Sequence, residues 1–369
     1  MKSSFFMKSM PHPHPTTARR PASKHRYFLS LGAVAMAIAS APAWAQGSVT
    51  LYGVMDMGYV HESGGVNGAS VNKISGGVST GSRLGFRGVE DLGGGLSAFF
   101  NLEMGLLSDT GGLAQGGLGF GRQSTVGLQG GFGTVALGRQ YTPVALIQVE
   151  TDPFVTGMAG DSANLISAGG AGGNNRMDNT VRYSFNAKSG ITLDLAYGFG
   201  ESPQGSRFNR QFGGAIGYVS GPAYVKLGYH NVQSATGVTG KLTFLGAKYD
   251  LGFATAHFNY VVNKGSAVFG LLNPDSRDLL LGVSVPYGPG KFIASYIRKD
   301  DRTAANYDAN QLAIGYVYNL SKRTSLYTAI ARIHNNALAG NTAGFYRVGN
   351  STEQGSGSRA FNLGIRHAF

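Results

Sequence analysis

From residue 48 onward, apolar and polar side chains alternate with a period of two. Ile191, Leu193, Leu195, Tyr197 and Phe199 interleave with Thr192, Asp194, Ala196 and Gly198, and Leu96, Ala98, Phe100, Leu102 and Met104 with Ser97, Phe99, Asn101 and Glu103. Leu312, Ile314, Tyr316 and Tyr318 follow the same rule, as do Ala256, Phe258, Tyr260 and Val262 against His257 and Asn259. Side chains two apart share a face of a strand, so each segment has one apolar and one mostly polar face. The pattern predicts sixteen strands, near 48–60, 80–91, 94–106, 119–129, 132–140, 176–187, 191–200, 209–220, 221–231, 240–250, 253–263, 275–287, 290–300, 309–320, 323–334 and 357–369.

The connections alternate in length. Tight turns fall at Asp91-Leu92-Gly93-Gly94, Gly130-Gly131, Lys188-Ser189-Gly190, Gly221-Pro222, Asp250-Leu251-Gly252, Gly288-Pro289 and Leu320-Ser321-Lys322, with long segments between them, among them 61–79, 107–118, 264–274 and 335–356. An even-numbered antiparallel barrel with short turns on one rim and long loops on the other has this rhythm, and a soluble sandwich has no reason to sort its loops by parity. The longest connection, Tyr141 to Asn175, is rich in small residues and carries Glu150, Asp152 and Asp161. A connection of that length in a compact domain points to function, and we expect it to fold into the bore and set its width.

Two further features favour a membrane barrel. Arg83 and Arg87 share one face of their strand while Leu84, Phe86 and Gly88 share the other. An arginine on the lipid face at the midplane costs about 2–4 kcal/mol, so these should face a wet interior. At the other end Phe361, Leu363, Ile365, His367 and Phe369 fall on one face, and the last strand runs to the final aromatic. Such a strand can pair with the first and leave no sheet edge.

Residues 1–45 read as a separate export segment. Lys2, Lys8, Arg19, Arg20, Lys24 and Arg26 precede an apolar run from Tyr27 to Ala39 and the site Ala41-Pro42-Ala43-Trp44-Ala45, the layout of a secretory signal. The run is shorter than the ~20 residues that a spanning helix needs. The full chain carries 31 Lys+Arg against 19 Asp+Glu, and without those six basic residues the balance is 25 to 19, a net of +6. Half of the apparent basicity thus belongs to the leader, and a nucleic-acid partner is not indicated. The chain has no cysteine, so no disulfide closes the fold, and its 58 glycines show no collagen period. From Gln46 to Phe369 the chain is expected to be one barrel.

The residues that carry these features resemble the Gram-negative general porins, sixteen-stranded trimeric barrels of the outer membrane. The likeness rests on Val49-Thr50-Leu51-Tyr52-Gly53 with Asp56, on the run from Ser82 to Gly93, on Phe132 to Gln140, on Asp178-Asn179-Thr180-Val181-Arg182-Tyr183, and on Gly364-Ile365-Arg366-His367-Ala368-Phe369. It runs over essentially all of 46–369. It implies a passive water-filled channel for ions and small hydrophilic solutes, surrounded by outer-membrane lipid, assembled as a homotrimer, with a third loop forming an eyelet. In that family one wall of the eyelet is lined with arginines and opposed by loop acids. By position, Arg83, Arg122 and Arg176 fall where the wall arginines fall, and Glu103 where the wall acid does. Some porins carry Pro-Glu-Phe-Gly-Gly in the loop; here the corresponding run is Asp152-Pro153-Phe154-Val155-Thr156-Gly157, followed by Asp161.

The expected constriction is therefore Arg83, Arg122, Arg176, Glu103, Asp152 and Asp161, with Arg139 and Tyr141 at the loop's entry. Rings of charged side chains select ions in pores, and guanidinium stays charged in any protein setting. The blander readings are a solvated wall for the arginines, a hairpin ion pair of Glu103 with Arg83, and turn or cap roles for the aspartates, since Asp161-Ser162 looks like the start of a short helix over 163–168. Lys73, Lys226, Lys264 and Lys299 are expected on loops or in the mouths. The terminal strand ending in Phe369 is the expected signal for the barrel-assembly machinery. The permanently charged wall predicts a modest anion preference. No metal site or cofactor is expected, since the histidines form no ligand cluster, and no paired nucleophile and base suggests an enzyme. An outer-membrane barrel with an enzymatic or an adhesion or receptor role is the alternative.

Overall fold

A computed structural model of the chain describes residues 48–167, 175–265, 275–336 and 346–369. The expected leader, 1–45, lies outside the described residues. The described residues form a sheet of eighteen strands: β1 (Ser48–Ser63), β2 (Val71–Gly76), β3 (Arg83–Gly93), β4 (Leu96–Leu107), β5 (Gly112–Leu113), β6 (Gln123–Gly130), β7 (Gly133–Tyr141), β8 (Arg176–Asn186), β9 (Ile191–Gly198), β10 (Gln211–Ser220), β11 (Ala223–Gln233), β12 (Thr239–Asp250), β13 (Thr255–Gly265), β14 (Asp275–Tyr287), β15 (Gly290–Asp301), β16 (Ala309–Asn319), β17 (Thr324–Asn335) and β18 (Arg359–Ala368). All pairs are antiparallel. β1 meets β18 in register from Val54↔Ala368 to Ser63↔Arg359, so the sheet closes on itself. Sixteen strands are staves of the barrel, as the alternation predicts. β2 and β5 are short strands in the first two long connections that the sequence pattern did not reveal. β2 folds back onto the loop-side half of β1 while β3 pairs with the other half.

The seven tight turns predicted from the sequence lie on one rim. At Gly221-Pro222 and Gly288-Pro289 the first residue has φ of +54° and +57°. A two-residue hairpin needs that sign there, and glycine adopts it without steric cost.

Alternation then sorts the wall. Along β14, Arg277, Leu279, Leu281, Val283, Val285 and Tyr287 point away from the bore, and Ser276, Asp278 and Leu280 are buried on the other side. Exposed apolar side chains on the outer face, such as Leu312 at 61% and Ile330 at 59%, are what a lipid-facing surface requires.

The main apolar cluster lies inside the ring, between the wall and the segment 142–166. That segment begins with α1 (Pro143–Thr151), which the sequence did not disclose. Thr142 caps it, its hydroxyl accepting from Ala145 N at 3.0 Å, with Pro143 at the first helical position. The helix expected from Asp161 is only a single 3-10 turn, Ser162–Asn164. Val144, Ile147, Phe154, Met158, Leu165 and Ile166 pack with Leu242, Phe244, Val261, Leu280, Ile297 and Ala313 of the wall.

A track of wall glycines makes this approach feasible. At Gly213, Gly228, Gly246, Gly282 and Gly315, an added Cβ would come within 3.0 Å of Pro143, Val144 or Ile147, Ile147, Pro153 and Phe154 respectively. The loop lies where those five side chains are missing, on the buried face of β10, β11, β12, β14 and β16.

Candidate pore constriction

Across the bore from that track, five staves bring charged groups together. β3 supplies Arg83, β4 Glu103, β7 Tyr141 and β8 Arg176, and Arg122 stands just before β6. Arg122 is the hub. Its Nε donates to Glu103 Oε1 at 2.7 Å and its terminal nitrogen to the Tyr141 hydroxyl at 2.9 Å. Arg176 donates to Arg122 O at 2.8 Å, to Asn175 Oδ1 at 2.6 Å and to the same Tyr141 hydroxyl at 2.6 Å, with its guanidinium 4.3 Å from the Tyr141 ring centre. Arg83 donates to Gly81 O at 3.1 Å and Thr80 Oγ1 at 2.6 Å, and stands 3.8 Å from Glu103.

Tyr52 of β1 completes the group, its hydroxyl 3.0 Å from Glu103 and 2.9 Å from Asn101. The expected pairing of Glu103 with Arg83 is thus the longer contact, and Arg122 holds the carboxylate. Three fixed positive charges share one negative one.

The loop's aspartates are placed differently. Asp152 is 1% exposed. Its carboxylate accepts from Phe154 N at 2.9 Å, Thr156 N at 3.0 Å and Ser162 N at 3.0 Å. Asp161 is 3% exposed and accepts from Ala163 N at 2.7 Å. Both serve backbone groups within the loop. Burial holds the Asp152 carboxyl above the usual carboxylate range, against the pull of its hydrogen bonds. Burial, then the neighbouring Asp152 charge, pushes Asp161 up to about 7.

Arg139 also lies apart from the cluster, its guanidinium bound to Gly121 O at 2.7 Å and to Asp178. Phe369 joins β1, exchanging backbone hydrogen bonds with Gly53 at 3.0 and 3.1 Å.

Below the loop, toward the short-turn rim, sequence reasoning missed a second charged region. A cavity of about 1100 Å³ is lined by Arg182, Asp194, Lys226, Lys248, Lys291 and Glu150, among others. Arg182 and Lys226 flank Asp194 at 2.5 and 3.7 Å, and Lys248 pairs with Glu150 at 2.7 Å. A cavity of about 360 Å³ along the arginine wall, reaching Tyr141 and Gln123, shares Arg182 and Leu146 with it. The missed signal was parity: Asp194 faces Ser184 in the register, which puts it diagonally across from Arg182 on the polar faces of β8 and β9.

Parity also corrects the lysines. Lys226 and Lys299 belong to strands, not loops. Lys299 is buried against Asp278, 3.0 Å away, and donates to Leu165 O at 2.8 Å, tying the loop to β15. Lys264 closes β13, and Lys73 sits on β2 between Glu62 and Glu353 at 2.9 and 2.6 Å.

A profile of the Gram-negative porins matches residues 32–338. The chain is 34% identical to outer membrane porin protein 32 of Delftia acidovorans over 92% of its own length and 99% of the relative's. The chain belongs to the Gram-negative porin family. This porin is also 30% identical to an outer membrane porin protein of Bordetella pertussis, over 92% of its length and 99% of that protein. Among solved structures, an anion-selective porin from Comamonas acidovorans superposes with a TM-score of 0.75 at 31% identity, covering 88% of this chain and all (100%) of that one. A trimer form of OmpT from Vibrio cholerae shares the fold at a TM-score of 0.63 and 17% identity, covering 88% of this chain and 99% of that one. Family and fold place this porin in the outer membrane.

Proposed function

We propose that this porin is a passive aqueous channel for ions and small hydrophilic solutes, that it prefers anions modestly, and that Arg83, Arg122 and Arg176 set the preference. The observation that carries the reading is the imbalance at the constriction: of three guanidiniums, Arg122 and Arg83 face the single carboxylate of Glu103 and Arg176 is held by Tyr141 and backbone, while the aspartates of the facing loop are consumed by loop backbone. In a narrow bore with low-dielectric walls a fixed charge acts more strongly than on an open surface. The relative from Comamonas acidovorans, described as anion-selective, supports the sign.

The zero-current potential in a potassium chloride gradient tests it. The parent should show an anion-sided potential that falls in Arg83→Gln with Arg122→Gln. Cation preference in the parent, or an unchanged potential in the double variant, would overturn the assignment.

We further propose that residues 1–45 are removed on export, that the working unit is a homotrimer, as the OmpT trimer form supports, and that the strand ending in Phe369 is the segment read during barrel assembly. Phe369→Asp should lower outer-membrane yield far more than it alters the conductance of protein that does insert.

A further inference from the structure

On the short-turn side of the loop, the bore holds a group of lysines that the constriction does not use. Lys226 of β11, Lys248 of β12 and Lys291 of β15 border the cavity of about 1100 Å³, together with Tyr224 and His257. The register brings them together. Lys248 faces Tyr224 of β11 on one side and His257 of β13 on the other, and Lys291 faces Pro286 of β14. The ammoniums of Lys226 and Lys248 stand 5.6 and 5.4 Å from the Tyr224 ring centre, and those of Lys248 and Lys291 repel one another. This cavity shares Arg182 and Leu146 with the one along the arginine wall.

The acids of the same cavity are already engaged. Asp194 is shared by Arg182 and Lys226, at 2.5 and 3.7 Å, so that unit keeps one excess positive charge. Asp152 gives its oxygens to loop amides, and Asp250 accepts from Gly252 N at 2.8 Å in its turn. Glu150 of α1 pairs with Lys248 at 2.7 Å, but both side chains are open to solvent, Lys248 at 33% and Glu150 at 52%. An exposed pair of this kind contributes only about 0–1 kcal/mol, so an incoming anion can displace it. Lys291 is half-buried, and among the described residues its ammonium has no hydrogen-bond or ion-pair partner. His257 is committed to the loop, with Nδ1 3.2 Å from Thr151 O and Nε2 3.0 Å from Ser284 Oγ. A carbonyl only accepts, so Nδ1 donates to it and fixes the end of α1, with Glu150, beside the lysines.

We propose that Lys248 and Lys291 form a second anion station, beyond the arginines, for small solutes that carry a phosphate monoester. The station rests on the reading of the bore as an open aqueous channel, but not on which residues set the chloride preference. Two ammoniums with no fixed acid between them suit a group carrying about two negative charges better than a single charge. Lysine meets phosphate as a point charge with rotatable donors, so the group is held in several orientations and released easily. Thr255 and Ser284, paired across β13 and β14 between the two lysine strands, border the cavity and add hydroxyls. Short turns face the periplasm in this fold class, so the station holds such solutes after the arginines have admitted them.

Single-channel current of the purified porin, titrated with glycerol 3-phosphate in about 0.1 M potassium chloride, tests this at a screening length of about 10 Å. At about pH 8 the phosphate of this probe is doubly charged. Glycerol, acetate and inorganic phosphate provide the comparison arms. The parent should show concentration-dependent block by glycerol 3-phosphate, little by acetate and none by glycerol. Lys248→Gln with Lys291→Gln should raise the half-blocking concentration roughly fivefold or more, and the same two changes to Arg should keep the block. Glu150→Gln frees Lys248 and should strengthen the block, an effect that a merely structural ion pair would not give. Equal block in the parent and the glutamine variant would overturn the proposal, and so would block by acetate as strong as by the ester. Block by inorganic phosphate as strong as by the ester would overturn the ester assignment and leave a free-phosphate site. No block in a parent whose zero-current potential is anion-sided would sink the station and leave the arginine reading standing. A cation-sided parent that is still blocked through the two lysines would do the reverse.

Discussion

Two walls of the bore use charge in opposite ways. On the arginine side, Arg83, Arg122 and Arg176 hydrogen-bond to backbone, to Tyr141 and to Glu103, yet keep an excess of positive charge. On the loop side, Asp152 and Asp161 are also hydrogen-bonded, but they are buried and spend their oxygens on the loop's own amides. In the proposed reading the arginines set the field of the hole, and the aspartates hold the shape of the loop that narrows it. A count of charges along the chain would treat the two groups as opposing partners.

The largest way to break this contrast is Asp152→Ala. It orphans the amides of Phe154, Thr156 and Ser162, and each unsatisfied buried donor costs about 1–3 kcal/mol. The loop should leave its glycine track while the sixteen staves persist, so single-channel current should become larger and noisier with little change in barrel content by circular dichroism. If conductance stays at the parent's level and noise, Asp152 does not hold the loop.

The next effect is a dependence on pH carried by Asp161. Its folded value of about 7 lies above the ~3.9 of an unfolded aspartate. The docked loop therefore binds more protons than the released one, and its stability is greatest below about pH 4, falls as pH rises toward about 7 and is flat above that. Amides 162–166 should exchange more slowly with deuterium at pH 5 than at pH 8, after correction for the intrinsic rate, and Asp161→Asn should flatten the difference. Slower exchange at pH 8 in the parent would contradict the sign.

A smaller wedge comes from Gly246→Val, which places a side chain against Ile147 and Thr151. Overpacking of this kind costs about 1–3 kcal/mol. It should raise conductance as Asp152→Ala does, but less, and without altering ion preference. Gly221→Ala, at the turn rim and far from the loop, should leave conductance unchanged.

The sequence was legible where one rule governs many residues. Period-two alternation found all sixteen staves, and turn residues found the short rim, because lipid outside and water inside impose those patterns on every strand. It was illegible where the loop meets the wall. The run Pro143-Val144-Ala145-Leu146-Ile147-Gln148-Val149-Glu150-Thr151 has no polar face to announce a helix, since Leu146 and Val149 line the cavity beside Glu150 while Gln148 and Thr151 are buried. The glycines that receive it look like ordinary strand glycines until the register aligns them across β10 to β16. Arg122 and Arg176 could be named from the sequence as wall residues, but their shared contact with Tyr141 depends on three chain segments meeting. The burial of Asp152 was hidden for the same reason: residue type shows that a carboxylate is present and says nothing of where its oxygens point.

The smallest expected effect is also the most discriminating between the two walls. Glu103→Gln removes the carboxylate that is hydrogen-bonded within the arginine cluster and leaves an amide whose oxygen can still accept from Arg122 Nε, with its nitrogen toward the Tyr52 hydroxyl. If Glu103 acts on permeating ions mainly through its charge, its loss should increase anion preference. The zero-current potential should shift further to the anion side, by less than the double arginine change shifts it back. The shift should shrink with salt, as the screening length falls from about 10 Å at 0.1 M to about 3 Å at 1 M. A competing effect is positional, because Glu103 is 3% exposed and its short contact with Arg122 fixes that guanidinium. Should the anion preference fall in Glu103→Gln, position would outweigh charge, and the arginine wall would depend on its buried acid just as the loop depends on Asp152.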